Sequence, residues 1–223
     1  MALVCIIYAR SSNYGKEVIE VQHFEFVFFF RIRYGLKGVA KVATIPIETE
    51  KVRYIMEVFD AVRTVLAVRQ FQDKPVPEPI VQQIVEAGHL TASSRNGQPW
   101  HFIVVDDKEM LRQLGTLAQT GRYIAQAPLA IVAGMEHSPF AVSDVSRAIQ
   151  SMILTAWAQG IGSNWVGFDN LKHINPVLGI PEEIEILSIL PFGYPVEAIG
   201  KGQKKRKPLS EIAHRERWNQ PFV

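Results

Sequence analysis

Residues 92–105 read Ala92-Ser93-Ser94-Arg95-Asn96-Gly97-Gln98-Pro99-Trp100-His101-Phe102-Ile103-Val104-Val105, and their character changes at Trp100. The first part has the hydroxyls, amides, glycine and proline of a turn. The second, WHFIVV, is a short apolar run read as a buried strand. Upstream, Ile80, Val81, Ile84, Val85 and Ala87 form the stripe of a helix ending near His89, entered through Pro75, Pro77 and Pro79. Proline is tolerated there because the first helical N–H groups have no intrahelical partner. Downstream, Asp106 reads as an N-cap with Glu109 at the capping-box position, ahead of a helix carrying Met110, Leu111, Leu114 and Leu117. The alternation continues in both directions. Met56, Phe59, Val62 and Leu66 predict a helix over 56–67, and Leu129 to Ala133 a buried strand. The longest helix is Ser143 to Gln159, with Gly160 as its C-terminal stop. Ile161 to Val166 and Ile184 to Leu190 read as strands, with helical pieces at 169–178 around Pro176. The order α-α-β-α-β-α-β-α-β predicts an α/β sandwich, with helices covering a sheet. The longest helix is apolar around so much of its circumference that a central position is expected.

Composition sets the outer bounds. The chain has 223 residues, 48% of them apolar, with 24 Lys+Arg against 22 Asp+Glu. That is enough for a real core, and a net charge of +2 makes no general case for nucleic acid. No apolar run reaches the roughly 18–20 residues that cross a bilayer, so no membrane association is expected. The lone Cys5 excludes an internal disulfide framework and a thiolate zinc site, and a reduced, cytoplasmic setting is the default. Residues 1–55 differ from the rest, with eight Lys/Arg against five Glu, leaving sixteen against seventeen Asp+Glu for 56–223. They lack the basic start and cleavage site of a signal peptide. The aromatic run His23 to Tyr34 alternates too poorly to be assigned as a strand. A second methionine start at Met56 opens the regular patterning. Residues 1–55 are therefore expected to lie outside the main fold, as a disordered or translated upstream segment. An arm that pairs with a partner subunit is the rival reading.

Four stretches carry candidate chemistry. The loop Ser93, Ser94, Asn96, Gln98 offers neutral donors and acceptors suited to a planar heterocycle; its plain alternative is an ordinary turn. The others are Arg63 with Arg69-Gln70-Phe71, the basic cluster Lys201 to Lys207, and Val166-Gly167-Phe168 at a strand end. The six histidines do not cluster, and no metal-ligand spacing, P-loop or nucleophile elbow occurs, so no metal site is expected. Trp157, Trp165 and Phe168 are expected in the core.

The loop resembles the S-S-x-N-x-Q-P-W segment of the nitroreductase family. The likeness continues through HFIVV, the Asp144–Trp157 helix with Gln-Gly-Ile-Gly after it, and Leu178-Gly-Ile-Pro181. It ends with Leu190-Pro-Phe-Gly-Tyr-Pro195 and Lys-Pro-Leu at 207–209, covering about 56–217 and leaving 1–55 without counterpart. The resemblance implies an α+β fold, a central mostly antiparallel sheet flanked by helices and completed by homodimerisation. It also implies FMN as cofactor and NAD(P)H as co-substrate. Hydride would pass through flavin N5 to a small acceptor such as a nitroaromatic or quinone, by a ping-pong mechanism. Under it, Ser93, Ser94, Asn96 and Gln98 bond the flavin, partly across the dimer. Arg69, Lys204 and Arg206 hold its phosphate, with Lys205 a register alternative. Main-chain groups of Val166 and Gly167 meet the reactive edge. No acid–base residue is assigned, since the cofactor carries the chemistry. One departure stands out. Where the family has a basic R-R-S segment, this chain has Val65-Leu66-Ala67, and Arg63 lies outside the matching slots. That keeps open a flavin-binding or scavenging protein with little turnover. A polyanion- or protein-binding module built on 201–207 is the third reading.

Overall fold

A computed structural model of the chain describes residues 3–10, 20–28, 56–167, 171–197 and 204–222. The chain divides into two units, Met1–Ile55 and Met56–Val223. In the first, strands β1 (Leu3–Arg10) and β2 (Glu20–Phe28) pair antiparallel from Leu3 opposite Phe28 to Arg10 opposite Glu20, with a register shift between Ile7 and Ala9. The sequence reading assigned no strand to the aromatic run. Alternation reports one-sided burial, whereas pairing is made by the backbone and needs no such pattern.

The second unit carries helices α1 (Val58–Thr64) and α2 (Glu78–His89), then strand β3 (Trp100–Val105) and helix α3 (Lys108–Leu117). Strand β4 (Leu129–Met135), helix α4 (Ala141–Ala158), the short strand β5 (Gly162–Ser163), helix α5 (Asn175–Leu178) and strand β6 (Glu185–Gly193) follow. The four strands form one sheet in the order β3-β4-β6-β5, every neighbouring pair antiparallel. The expected α+β architecture is the observed one.

All seven residues of β4 are buried, because each face of the sheet has its own layer. Leu129, Ile131, Ala133 and Met135 join a core with Ile84 of α2 and Val145, Ile149 and Met152 of α4. Ala130 and Val132 point the other way, onto Leu111 and Leu114 of α3 and Ile174. A run buried on both sides loses its alternation, which is how this sequence reads. β3, read as buried, is an edge strand among the described residues, with only Trp100 and Val105 buried. Helix α4 is central as expected, and Gly160 terminates it at φ 78°.

Three local expectations shift. The N-cap of α3 is Asp107, whose Oδ1 accepts from the Met110 N–H at 2.8 Å, so the Asp106–Glu109 box does not form. Ile161 to Val166 is not one strand: only β5 and an isolated bridge from Val166 to Ile189 pair. Asn164 interrupts it by accepting the Trp165 N–H on its own Oδ1 at 3.0 Å, a local bond that competes with the ladder. Helix α1 stops at Thr64, where Val65 turns extended (φ −56°, ψ 130°). The chain then bridges Ala67 to Ser163 in parallel, and the Val68 N–H donates to the Ser163 carbonyl at 2.8 Å.

Candidate functional site

That extended segment forms one wall of a cleft of about 1170 Å³. Phe59, Val62 and Arg63 of α1 line it with Val65, Leu66 and Ala67; Gln150 and Ile153 come from α4, Ser163, Asn164 and Trp165 from the chain around β5, and Lys204 and Arg206 from the tail. The walls are largely apolar, with three cations among them. The Lys204 Nζ donates to the Val62 carbonyl at 2.6 Å. This carbonyl lies in the last turn of α1, where main-chain acceptors lack helical partners, so the lysine ties the tail to the helix end. Burial and the neighbouring Arg206 charge hold the Lys204 ammonium below the usual lysine range. Arg63 pairs with Asp60 at 2.7 Å, and Arg206 donates to the Lys205 carbonyl at 3.0 Å. Trp165, expected in the core, is half-buried and faces the cleft; Trp157 is buried and donates to Thr64 Oγ1 at 2.9 Å.

The sequence-predicted residues fall into separate groups. Lys204 and Arg206 face the cleft together; Arg69 does not line it, and its guanidinium lies 6.0 Å from the Tyr123 ring centroid. The loop 93–98 also lies outside the cleft lining. It is internally bonded, Ser93 Oγ accepting the Gln98 N–H at 3.0 Å and Gln98 Nε2 donating to the Asn96 carbonyl at 3.3 Å. Arg95, Asn96 and Gln98 all have φ between 47° and 55°. Non-glycine residues reach this left-handed region only where surrounding bonds hold them.

The holding group is Asp144, which sequence reasoning missed. It is 1% exposed and accepts the Ser94 N–H on Oδ2 at 2.9 Å and the Ser94 hydroxyl on Oδ1 at 3.0 Å. Arg147 donates to the same carboxylate. Burial pushes the carboxyl upward, but the Ser94 N–H, the Ser94 hydroxyl and Arg147 outweigh it and hold Asp144 below the ordinary carboxylate range. The signal was present in the pattern: Asp144 sits on the stripe that continues through Val145, Ala148 and Ile149, and a carboxylate there needs partners.

At the strand end the expected main-chain contact changes. The Val166 N–H donates to the Ile189 carbonyl at 3.0 Å, and its own carbonyl accepts from the Ile189 N–H and the Ser188 hydroxyl. Val166 is therefore fully engaged within the sheet. Gly167 is required by packing, since a Cβ there would sit 2.6 Å from the Leu187 carbonyl oxygen and 2.7 Å from Trp165 Nε1. Phe168 and Lys201 to Gln203 lie outside the described residues. Among the described residues no group of three metal-ligating side chains occurs, and no helix is long and apolar enough to cross a membrane.

Solved structures of the same architecture define the class. An FMN-dependent nitroreductase from Clostridium difficile R20291 matches with a TM-score of 0.64 at 27% identity, over 72% of this chain and 99% of that one. The class is that of nitroreductase-fold oxidoreductases. Within it, residues 57–222 match the family model described as "Putative TM nitroreductase". A Methanothermobacter thermautotrophicus protein named "Putative NADH dehydrogenase/NAD(P)H nitroreductase" is 35% identical over 154 residues, 65% of this chain and 81% of its own. A Bacillus subtilis protein named FMN reductase (NAD(P)H) is 27% identical over 175 residues, 67% of this chain and 70% of its own. The chain belongs to the nitroreductase family.

Proposed function

We propose that the protein is an FMN-dependent NAD(P)H oxidoreductase whose flavin lies in the described cleft, completed by a second copy of the chain. One observation carries the reading: an apolar cleft large enough for a tricyclic ring contains Lys204 and Arg206, neither of them paired to a carboxylate among the described residues. A partly desolvated Lys204 beside the exposed Arg206 calls for an anion, and the cofactor's phosphate is one. When bound, FMN supplies hydride chemistry at N5, between NAD(P)H and a nitroaromatic, quinone or similar acceptor in turn.

The chain's own residues do the holding. Leu66, Ile153 and Trp165 would shield the ring system from water, while Gln150 and Ser163 offer neutral hydrogen bonds to its polar atoms. The loop Ser93, Ser94, Asn96, Gln98, fixed by Asp144 but outside this cleft, would serve the cleft of the partner copy. Gly167 lets the Trp165 indole, which lines the cleft, and the Leu187 carbonyl approach the backbone closely, and would so help to place Trp165 against the ring. The cytoplasmic setting expected from the single cysteine belongs to this reading, and so does a role for residues 1–55 outside the catalytic unit.

The test is direct. Freshly purified protein should be yellow, and anaerobic NADH or NADPH should bleach it; a colourless protein that takes up no added FMN rejects the reading. The apolar Val65-Leu66-Ala67 wall favours one second reading, a flavin carrier with little turnover. Steady-state NAD(P)H oxidation with a quinone separates the two.

A further inference from the structure

The family's basic segment maps onto Val65-Leu66-Ala67, and in this chain those residues give the cleft an apolar wall. The basic residue of the segment that does face the cleft is Arg63, two positions earlier. We propose that Arg63 joins Lys204 and Arg206 as the third cation of a phosphate-monoester site, replacing the missing basic pair. This rests on the flavin reading above and assigns its anionic end.

The placement follows from where α1 stops. Because the chain leaves the helix at Val65 to bridge Ala67 onto Ser163, Arg63 stays in the final helical turn. Lys204 Nζ is 2.6 Å from the carbonyl of Val62, the residue directly before it. Tail and helix end are thus stitched together one peptide from Arg63, with Arg206 lining the same cleft. Arg69, the residue matching the family pattern, lies instead against Tyr123. Three cations face the cleft, and the carboxylate bonded to one of them is Asp60, on Arg63. That pair is an exposed i,i+3 contact with side chains 57% and 38% accessible, a class that contributes little and exchanges readily. A monoester dianion presents three terminal oxygens, which suit two guanidinium forks and one ammonium. Burial and Arg206 hold the Lys204 ammonium below its ordinary range, and such an anion would offset both. The competing role is plain: a charge complementing the C-terminal end of α1.

Flavin fluorescence titrations with FMN and with riboflavin distinguish the two roles. In Arg63→Ala, FMN binding should weaken about 10-fold or more, the value of a lost charge-assisted bond, while riboflavin binding holds. Arg63→Lys should recover part of the loss, and Asp60→Asn, which releases Arg63, should bind FMN at least as well as the parent. Arg63→Gln repeats the measurement with the side-chain stem retained, should the alanine variant melt early. Equal losses for both flavins, or no loss for either, overturn the assignment while leaving the flavin reading intact. A parent protein that binds neither flavin overturns the flavin reading, and this assignment with it.

Discussion

At Asp144 two opposing effects meet on one carboxyl, and the hydrogen bonds win over burial. A carboxyl depressed in the folded state favours the fold at every pH above its unfolded value, about 3.9. The contribution is lost only as pH falls through the lower folded value. Asp144→Asn should therefore lower the melting temperature by a constant amount from neutrality down to about pH 5, the gap closing only under strongly acid conditions. Thermal melts of both proteins across pH 3–7 give the difference curve. Closure of the gap near pH 6 would point to a histidine instead. The same variant should speed exchange of the Ser94 amide, since its acceptor is the Asp144 carboxylate. Ser94 was singled out by its motif, and the structure shows it bonded to Asp144. Asp144 was not, because a partner 50 positions away along the chain is set by how α2 and α4 lie against each other.

Among the elements, those with a strong apolar pattern and a large buried share were the ones the sequence disclosed. β4 is buried throughout and α4 buries a broad stripe, so both have strong patterns, and their observed limits differ by a residue or two from the expected ones. The failures occur where tertiary contacts overrule a local pattern. Met56 to Leu66 has helical spacing, yet Val58 and Phe59 are about three-quarters exposed and the sheet edge draws Val65 to Val68 out of the helix. Of the two arginines singled out in the sequence, the cleft lining contains Arg63 and not Arg69. Where local chemistry decides alone, expectation and structure agree, as at Gly160. Its φ is 78°, and a Cβ there would meet nothing within 4 Å. Gly160→Ala should thus cost about 1–2 kcal/mol through backbone conformation alone, with no packing contribution. Chemical denaturation should show a lower midpoint with an unchanged slope. A changed slope would mean the denatured ensemble or the cooperativity had altered instead.

On the scale of the whole molecule, the unresolved energetic problem is apolar surface. Val58 and Phe59 of α1 are 75% and 74% exposed, beside Val62 at 46%, and Trp218 of the tail is 79% exposed. Contiguous apolar groups on one helix mark a contact surface more often than chance exposure does. The proposed second copy would cover them and would also give a use to loop 93–98, which is bonded to Asp144 yet lines no part of its own cleft. Met56–Val223 is a compact unit of its own that holds the cores and the cleft described above. A chain comprising 56–223 should accordingly remain folded, sediment as a dimer and bind flavin. Phe59→Glu in that chain should shift it toward monomer, because a carboxylate buried at an interface without a partner is strongly disfavoured. Flavin affinity should fall together with the dimer fraction, and raising the protein concentration should restore both. Sedimentation velocity at several concentrations, with flavin absorbance followed in the same cell, reads mass and cofactor at once. If the variant is monomeric and keeps the parent's flavin affinity, the cleft is complete within one chain and loop 93–98 has some other purpose.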